Sequence, residues 1–444
     1  MSQKVDLIIR GDYVLTMNQN LDVIQKGAVA VKDKRIVAVD TVENITKTYT
    51  SSNIIGGEDS AVLPGFINTH THAAMVYFRG LADDIPLKEW LENYMWPAEN
   101  ALLSEDFIYD AVELACLEML KGGTTTYCDM YFFGKSAAKA TTNMGMRAVI
   151  GVGILDFPTV SAKTKEQYME NVKVMIDAYK GHELIIPCVA PHAIYTCSKD
   201  TLKTAQSIAE NHDLPLHIHL SETEWEVNEV LSKYGKRPVM YLEDIGFLNS
   251  RIIAAHCVWL DDEEIETLSR HDVSVAHCIE SNLKLSSGIA PIPAMLRAGL
   301  RVGIGTDGAA SNNDLSMIGE MSTVAKVHKA ISKDPTAMDA KTTLLMATRW
   351  GAEALGMGHQ LGSLEAGKLA DIILLDIKKP HLMPIYNIYS HIVYSASDKD
   401  IDTVIVNGNV LMENRSVVNI DEDETLNKAK IWGNRIKERL KIQY

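Results

Sequence analysis

The sequence predicts an α/β fold: a (β/α)8 barrel of the TIM type, with a small β-sandwich domain that both ends of the chain form. Between residues 63 and 367, eight short apolar segments alternate with helical patterns, as expected for a parallel sheet closed into a barrel. Residues 1–62 and 368–444 instead show alternating strands with turn signals, followed at the end by a helical pattern. We therefore predict a barrel domain of residues 63–367 and a β domain of residues 1–62 and 368–444.

The eight apolar segments have the length and composition of buried strands. Helical stretches such as DFIYDAVELACLEMLKG and EEIETLSRH lie between them. The region that contains them exceeds the roughly 250 residues that such a barrel usually takes. In chain order, the segments are LPGFINTHTH, TTTYCDMYF, MRAVIGVGIL, LIIPCVAPHA, PLHIHLSE, RIIAAHCVWL, VSVAHCIESN and RVGIGTDGAA.

The β domain is predicted from patterns near both ends of the chain. The N-terminal segments VDLIIRGDYVLT and GAVAVKDKRIVAVD read as short strands, and Asp33 with its two lysine neighbours marks a hairpin turn. The β pattern returns in GKLADIILLD and DIDTVIVNGNVLMEN. An amphipathic helix follows around ETLNKAKIWGNRIKERLK.

Composition and charge argue against several classes of partner. The formal net charge is -15, and no basic run offsets it, so we expect neither a nucleic acid nor a membrane partner. No segment reaches about 18 uninterrupted apolar residues, which predicts a soluble, cytoplasmic protein. The six cysteines show no CxxC spacing, so we expect buried thiols rather than disulfides or a thiolate metal site. A homo-oligomer is compatible with the sequence, which does not determine the assembly.

Polar residues cluster where the predicted strands end, which is where a barrel of this kind holds its active site. His70 and His72 lie two residues apart on the first strand and therefore share a face. His219 ends the fifth strand, His256 the sixth and Asp307 the eighth. For an isolated His-x-His pair, a place on the surface or in the core would be the favoured interpretation, but here three more strand ends carry matching residues. Histidines with a carboxylate are ligands suited to zinc or iron(II).

The segments LPGFINTHTH, HIHLSE, AHC, HCIESNLKLSSG and GIGTDGAASNN resemble the amidohydrolase superfamily, over almost the whole chain. Within it, the sequence most resembles the 5′-methylthioadenosine/S-adenosylhomocysteine deaminases, which are one-metal members. Two-metal members bridge their ions with a modified lysine on the fourth strand, and IIPCVAPHA contains no lysine. The resemblance implies one divalent metal, Zn²⁺ or Fe²⁺, with the ligands His70, His72, His219 and Asp307.

The resemblance also implies a reaction. An adenosine-type nucleoside (5′-methylthioadenosine, S-adenosylhomocysteine or adenosine) would be hydrolysed to the inosine-type product and ammonia. The metal would lower the pKa of its water, Asp307 would accept the water's proton, and His256 would stabilise the resulting hydroxide. Glu222, three residues after His219, would protonate the ring nitrogen. The alternative for Glu222 is a carboxylate in bulk solvent.

Five residues match substrate-binding positions of the family. Trp90 would form an apolar wall and His192 would lie near the base. Glu99 would accept hydrogen bonds from the ribose hydroxyls, although a solvated glutamate at a helix end is the alternative. Arg147 matches a family arginine but fits a helix–strand junction equally well. Ser311 would place a hydroxyl beside the substrate.

Several alternatives stay open at the level of sequence. His217 shares a strand face with His219 and is interpreted as a core histidine or a neighbour of the metal ligands, while His277 receives no role. Ile279 stands where the family pattern leads us to expect proline. The segment LDFPTVSAKTKEQY lacks a second arginine, which leaves the 5′ substituent of the substrate open. Rival functions are an aminohydrolase of guanine, a pterin or a triazine, and a catalytically silent homologue.

Overall fold

The computed structural model describes residues 2–418 and 420–442. Contacts between Cα atoms divide the chain into two compact units. The first unit consists of Met1–Asn68, Glu118–Thr126 and Ser316–Ile420, and the second consists of Thr69–Leu117, Tyr127–Leu315 and Asp421–Tyr444.

Eight parallel strands follow one another around a barrel in the order of the chain. Each predicted strand segment contains one of them, which confirms the predicted fold class. Beyond the last strand, the backbone N–H of Asp307 donates to the carbonyl of His70 in the first strand at 3.0 Å. Barrel strands 1 to 8 are Phe66–Thr71, Thr124–Tyr131, Arg147–Ile154, Ile185–Pro191, Leu216–Leu220, Ile252–His256, Ser274–His277 and Arg301–Ile304.

The barrel strands are buried on both faces, which explains why the sequence shows continuous apolar runs instead of alternation. Every residue of barrel strands 1, 2, 3, 5, 6 and 7 is buried. Strands of a parallel sheet with helices outside and packed side chains inside have no face in water. The polar residues at their ends therefore lie in an environment that excludes bulk solvent.

Helices connect the strands, and several begin at a Ser or Thr whose side chain accepts a backbone N–H. Thr164, Ser198 and Thr223 cap three of them in this way. Short 3-10 turns span Ala73–Phe78, Pro380–Leu382 and Asp398–Asp400, and a π-helical turn spans Leu91–Met95. The α-helices are Val42–Thr48, Leu87–Trp90, Trp96–Leu102, Glu105–Lys121, Gly134–Asn143, Lys165–Tyr179, Lys199–His212, Glu224–Tyr234, Pro238–Asp244, Asp262–Arg270, Ile279–Lys284, Ile292–Arg297, Ala309–Asn312, Met317–Ser332, Ala340–Met346, Arg349–Ala354, Ile388–Tyr394 and Glu422–Leu440.

The first unit contains a mixed eight-stranded sheet to which both ends of the chain contribute. Ile54–Pro64 pairs in parallel with Leu7–Leu15 and antiparallel with Ile372–Asp376, and so joins the two contributions. This arrangement confirms the predicted β module at the termini. The remaining strands of this sheet are Val23–Lys32, Arg35–Thr41, Ile401–Val406, Asn409–Glu413 and Ser416–Val417, and a separate pair is Gln3–Lys4 with Tyr49–Thr50.

The predicted hairpin is present, with its turn at Asp33 and Lys34. Both residues have positive φ, 47° and 72°, as a two-residue type I′ turn requires. The strands on either side pair antiparallel, with Lys32 opposite Arg35. Asp33 and Lys34 therefore form the turn itself, because both adopt the backbone conformation that it requires.

The grouping of helices differs from the predicted domain boundaries. The helix Met317–Ser332 belongs to the first unit, and the terminal helix Glu422–Leu440 belongs to the second. In the terminal helix, the indole N–H of Trp432 donates to a carboxylate oxygen of Asp110 at 2.8 Å. The boundaries at residues 62 and 367 remain a prediction about folding units. Within residues 2–418 and 420–442, no helix combines the length and apolar composition needed to cross a bilayer.

Candidate metal and active site

The ends of four barrel strands bring five polar side chains together. His70 lies in barrel strand 1 and His72 just beyond it, His219 lies in strand 5, His256 ends strand 6, and Asp307 follows strand 8. All but His72 are at most 5% exposed. The rings of His70 and His219 have centroids 4.9 Å apart, and those of His219 and His256 are stacked at 5.4 Å. The sequence-predicted cluster therefore exists as one group.

The donor atoms of this cluster have the spacing of a metal coordination shell. The Nε2 atoms of His70 and His72 lie 3.3 Å and 3.2 Å from Asp307 Oδ1. The Nε2 atoms of His72 and His219 are 3.3 Å apart. Donors roughly 2.0–2.1 Å from a tetrahedral zinc ion are separated by about 3.3 Å. The residues present therefore fit a divalent metal of this kind.

The other ring nitrogen of each of the three histidines has a partner that orients the ring. His72 Nδ1 lies 2.5 Å from the carbonyl of Met130, and His219 Nδ1 lies 2.9 Å from the carbonyl of His192. Because a carbonyl only accepts, both Nδ1 atoms carry the proton and both Nε2 atoms present a lone pair. The tautomers that a metal requires are therefore fixed by the protein.

His70 is oriented by a second buried histidine. His70 Nδ1 lies 3.0 Å from Nε2 of His217, whose Nδ1 in turn lies 3.4 Å from the sulfur of Cys128. A proton on His70 Nδ1 makes His217 the acceptor and leaves the proton of His217 facing the sulfur. Burial lowers the pKa of His70 to about 4, so that its ring is neutral at pH 7, the form that binds metals. His217 thus orients the ring of His70 through the nitrogen that faces away from Asp307.

Asp307 is held by two hydroxyl groups on the side away from the histidines. Its Oδ2 accepts hydrogen bonds from Ser281 at 2.6 Å and from Ser311 at 3.0 Å. Burial alone raises the pKa of this carboxyl, but the neighbouring imidazoles of His70, His72 and His256 hold it well below its usual value. Asp307 is therefore ionised and fixed in orientation.

Glu222 and His256 face each other beside the cluster. The carboxylate Oε2 of Glu222 lies 3.7 Å from Nε2 of His256, and its Oε1 lies 3.4 Å from the hydroxyl of Ser287. Burial raises the pKa of Glu222 above its usual value, against the opposing effect of His256. The pKa of His256 is raised in turn, because the charges of Glu222 and Asp307 outweigh its burial. Burial therefore favours the protonated form of Glu222 relative to an exposed glutamate.

Four residues of this region adopt the left-handed backbone conformation without being glycine. They are Ser221, His256, Cys257 and Asp307, with φ values of 51°, 70°, 51° and 59°. Such residues are strained, and they persist only where the surroundings determine the backbone. The turns that follow barrel strands 5, 6 and 8 therefore have a fixed shape, and each carries a residue of the cluster or its neighbour Glu222.

A concave cavity opens above the cluster, with mostly apolar walls and a few polar groups, as is typical of small-molecule sites. Predicted and unpredicted residues both contribute to its walls. The lining comprises His72, Met75, Leu87, Trp90, Leu91, Trp96, Glu99, Met130, Tyr131, Phe132, Gly153, Leu155, His192, Tyr195, His219, Glu222, His256, Leu285, Asp307 and Ser311. Of the five predicted substrate-binding residues, four are therefore brought to one cavity.

Glu99 is a buried carboxyl group in the wall of this cavity. One of its oxygens accepts a hydrogen bond from the hydroxyl of Tyr131 at 2.6 Å. Burial raises the pKa of Glu99 to about 7, although the hydrogen bond from Tyr131 opposes the shift. The interpretation of Glu99 as a solvated helix-end residue does not hold, since the residue is only 9% exposed.

Trp90 and His192 are anchored through their polar atoms, which leaves their rings to line the cavity. The indole N–H of Trp90 donates to the carbonyl of Ala82 at 3.1 Å, and Nδ1 of His192 lies 2.9 Å from the hydroxyl of Thr196. Burial lowers the pKa of His192 to about 3, so the ring is neutral. Both can therefore present apolar or weakly polar surface to a planar base.

The position of Arg147 agrees with the alternative of a helix–strand junction and not with a place in the cavity wall. It is the first residue of barrel strand 3, at the end opposite to the one that carries the cluster. Its guanidinium donates to the carbonyl of Glu183, in the segment just before barrel strand 4, at 2.8 Å. Arg147 is 2% exposed and is not among the cavity-lining residues of the described chain. Arg147 therefore links the beginning of barrel strand 3 to the segment before barrel strand 4 and does not reach this cavity.

Several residues of the site were not predicted. Tyr131 and Asp129 come from barrel strand 2, and the Asp129 carboxylate accepts the backbone N–H of Ala73 at 2.8 Å. Asn282 fixes His256 through a contact of 2.9 Å between its Oδ1 and Nδ1 of the ring. A signal existed for Asp129, because an acidic residue inside the apolar run TTTYCDMYF is unusual. His277 is buried at the end of barrel strand 7 and still has no assigned role.

This donor set at the carboxyl ends of barrel strands, with a protonatable glutamic acid beside it, defines a metal-dependent hydrolase. The chain belongs to the amidohydrolase family, whose sequence pattern matches residues 61–411.

Comparison with individual proteins supports the same assignment. A 5-methylthioadenosine/S-adenosylhomocysteine deaminase of Thermodesulfovibrio yellowstonii is 53% identical over 97% of this chain and 98% of the relative. A 5′-deoxyadenosine deaminase of Methanosarcina acetivorans is 44% identical over 96% of this chain and 97% of the relative. The crystal structure of an adenosine deaminase from Xanthomonas campestris with bound zinc superposes with a TM-score of 0.97, at 37% identity, over 99% of this chain and 100% of that one.

Proposed function

We propose that this protein is a hydrolytic deaminase of adenosine-type nucleosides, which releases ammonia and the inosine-type product. One observation carries the proposal: a single cavity contains both the histidine–aspartate cluster with Glu222 and the buried carboxyl group of Glu99. The first can hydrolyse a cyclic amidine, and the second can bind vicinal hydroxyl groups. The names of relatives that act on 5-methylthioadenosine, S-adenosylhomocysteine and 5′-deoxyadenosine support the same substrate class.

The cofactor is one divalent metal, and zinc is the metal bound in the similar adenosine deaminase structure. His70, His72, His219 and Asp307 would hold it, in agreement with the spacing of their donor atoms. When bound, such an ion lowers the pKa of a water molecule toward neutrality and so supplies a nucleophile at physiological pH.

Two carboxyl groups and one imidazole move and hold the protons. Glu222 gives its proton to the ring nitrogen N1 while the oxygen of water adds to the neighbouring carbon C6, so that the ring carries no negative charge. Asp307 accepts one proton from the water and passes it to the amino group, so that the bond between C6 and nitrogen breaks and ammonia leaves. The remaining hydroxyl proton passes to Glu222 as the C6 carbonyl of the product forms, which restores the acid. His256, 3.7 Å from Glu222, stabilises the developing charge on the attacking oxygen.

The nucleoside is positioned by the rest of the cavity. Glu99 accepts hydrogen bonds from the two ribose hydroxyls, as an ionised carboxylate offers only acceptors. Trp90 and His192 lie against the base, and Ser311, bonded to Asp307, presents its hydroxyl on the substrate side. Guanine, pterins and triazines carry no ribose and would leave Glu99 without its partner, so the ribose-free rivals fit this cavity less well.

The decisive experiment is a substrate panel with the purified, zinc-loaded protein. Ammonia release should be measured for 5′-methylthioadenosine, S-adenosylhomocysteine, 5′-deoxyadenosine and adenosine, and for guanine, a pterin and a triazine. We expect turnover of the nucleosides and loss of that turnover after treatment with a chelator, with recovery on adding zinc. Turnover of ribose-free compounds alone would refute the nucleoside proposal, and no turnover of any compound would favour a silent homologue.

We further propose that the protein works in the cytoplasm on a dissolved small molecule, without a nucleic acid or membrane partner. The support is the formal net charge of -15, which repels phosphate backbones and anionic lipid headgroups. Sedimentation of the purified protein would decide whether it forms a homo-oligomer.

A further inference from the structure

The buried side chain of Glu226 accepts hydrogen bonds from the backbone segment that carries Glu222. Glu226 lies in the first turn of the helix Glu224–Tyr234, with its side chain folded back toward the end of barrel strand 5. Its Oε1 accepts the backbone N–H of Ser221 at 3.0 Å, and its Oε2 accepts the backbone N–H of Glu222 at 2.9 Å. Glu226 is only 1% exposed.

Both bonds are strongest to an ionised carboxyl group, and they oppose the burial that raises the pKa of Glu226 to about 7. Two successive backbone N–H groups that point at one anion form a small anion-binding concavity, and both oxygens of the Glu226 carboxylate occupy it as acceptors. Ser221, with φ of 51°, has the strained left-handed conformation that such a turn uses. An amide of the same shape would offer one acceptor only, and its NH2 group would face a backbone N–H.

The same turn is held from its other side by the loop after barrel strand 6. The carbonyl of Ser221 accepts the backbone N–H groups of Val258 at 3.0 Å and Trp259 at 2.9 Å. That loop follows directly on His256, which faces Glu222. The turn therefore sets the distance between these two side chains, and Glu226 is the side-chain component that holds it.

We infer that Glu226 is a positioning residue for the reaction: by bonding the N–H groups of Ser221 and Glu222, it keeps the carboxyl group of Glu222 beside His256. This inference rests on the proposed function, in which Glu222 donates the proton to the substrate. Glu226 is not among the proposed metal ligands, and its carboxyl oxygens hydrogen-bond to backbone N–H groups, so its loss should not remove the metal.

The experiment compares Glu226→Gln with a matched control, Glu264→Gln. Glu264 is also buried and also accepts backbone N–H groups, from Val239 at 3.2 Å and Asp261 at 3.3 Å, but at the helix Asp262–Arg270 outside the cavity lining. Both variants lose a buried carboxylate that binds backbone, and Glu264→Gln additionally weakens the ion pair of Glu264 with Arg237 at 2.8 Å. Zinc content, thermal stability, kcat, KM and the inhibition constant of the inosine-type product should be measured for each.

We expect Glu226→Gln to lower kcat about 10- to 100-fold, since a displacement near 1 Å has effects of that size. Its zinc content, KM and product inhibition constant should stay within about twofold of wild type, and Glu264→Gln should retain kcat. Should Glu226→Gln fail to fold, Glu226→Asp, which keeps the charge but shortens the reach, is judged by the same criteria. Unchanged kcat, an equal loss in the control, or failure of both variants to fold would overturn the inference.

A crystal structure of zinc-loaded Glu226→Gln gives a readout that does not depend on the substrate. We expect the distance between Glu222 and His256 to increase from 3.7 Å. An unchanged distance would overturn the positioning role. A wild-type protein that deaminates no nucleoside would instead refute the proposed function, and the measured distance would still decide the role of Glu226.

Discussion

Replacing Glu99 by alanine tests the substrate class most directly. Glu99 is buried and one of its oxygens already accepts the Tyr131 hydroxyl, so an ionised carboxylate has about three of its four lone-pair positions left for a ribose. Each hydrogen bond to a charged acceptor contributes about 1.5–3 kcal/mol. Part of this gain is offset because the carboxyl group must lose its proton in a site where burial raises its pKa to about 7. We expect kcat/KM for an adenosine-type nucleoside to fall by roughly one to three powers of ten.

The assay is a double-mutant cycle that varies both the protein and the substrate. Wild type and Glu99→Ala are compared on a nucleoside and on its 2′,3′-dideoxy analogue, with zinc content as the control for an intact site. Because both changes remove the same interaction, their costs should be far from additive. Full additivity would show that Glu99 does not contact the ribose, and the ribose-free substrates would then be favoured.

The ionisation of Glu99 also predicts how kcat/KM changes with pH. Only the ionised carboxyl group accepts both hydroxyls, and its pKa in the free protein is raised to about 7. The Glu99-dependent part of kcat/KM should therefore rise as the pH increases through about 7 and disappear below it. In Glu99→Ala this component should be absent, and an unchanged pH profile would contradict the explanation.

Three further predictions concern the metal, the acid and the barrel. Elemental analysis should find one zinc equivalent per chain, and two tightly bound ions would contradict the single set of ligands. Glu222→Gln should keep the metal but lose about 10²–10⁴-fold in turnover, because an amide donates no acid proton; near wild-type turnover would remove Glu222 from the mechanism. Arg147→Met should lower thermal stability by about 1–3 kcal/mol, since it removes the hydrogen bond from the buried guanidinium to the carbonyl of Glu183. Its KM should not change, and a raised KM would restore Arg147 to the substrate site.

The cluster at the strand ends was predictable because polar residues recur at equivalent places along several apolar segments. Eight apolar runs required a closed parallel sheet, and residues such as His70, His219 and Asp307 stood at equivalent places along three of them. In a parallel barrel, equivalent places are neighbours in space, so the metal cluster followed from the positions along each run. The hairpin at Asp33 was predictable for a similar reason, since its residues lie next to one another in the chain.

The sequence left two roles open for Arg147 because the same sequence window contains both ends of a strand. The motif match put an arginine near a functional strand, but strand 3 begins at that residue and the cavity lies at its other end. The contacts of Tyr131 with Glu99 and of Glu226 with Ser221 depend on side-chain direction across a loop or a turn. No spacing rule determines such directions, and only the folded backbone does.

At Ser221, a change that raises the stability of the protein would be expected to lower its rate of catalysis. Ser221 has strained backbone, and its buried hydroxyl has no hydrogen-bond partner in the described part of the chain. Glycine at this position would relieve the strain, which is of order 1–2 kcal/mol, and would remove the unsatisfied oxygen. It would also give the peptide that carries Glu222 more conformational freedom. Selection for thermostability alone would therefore favour glycine here, and the serine would be retained only where catalytic rate outweighs lifetime.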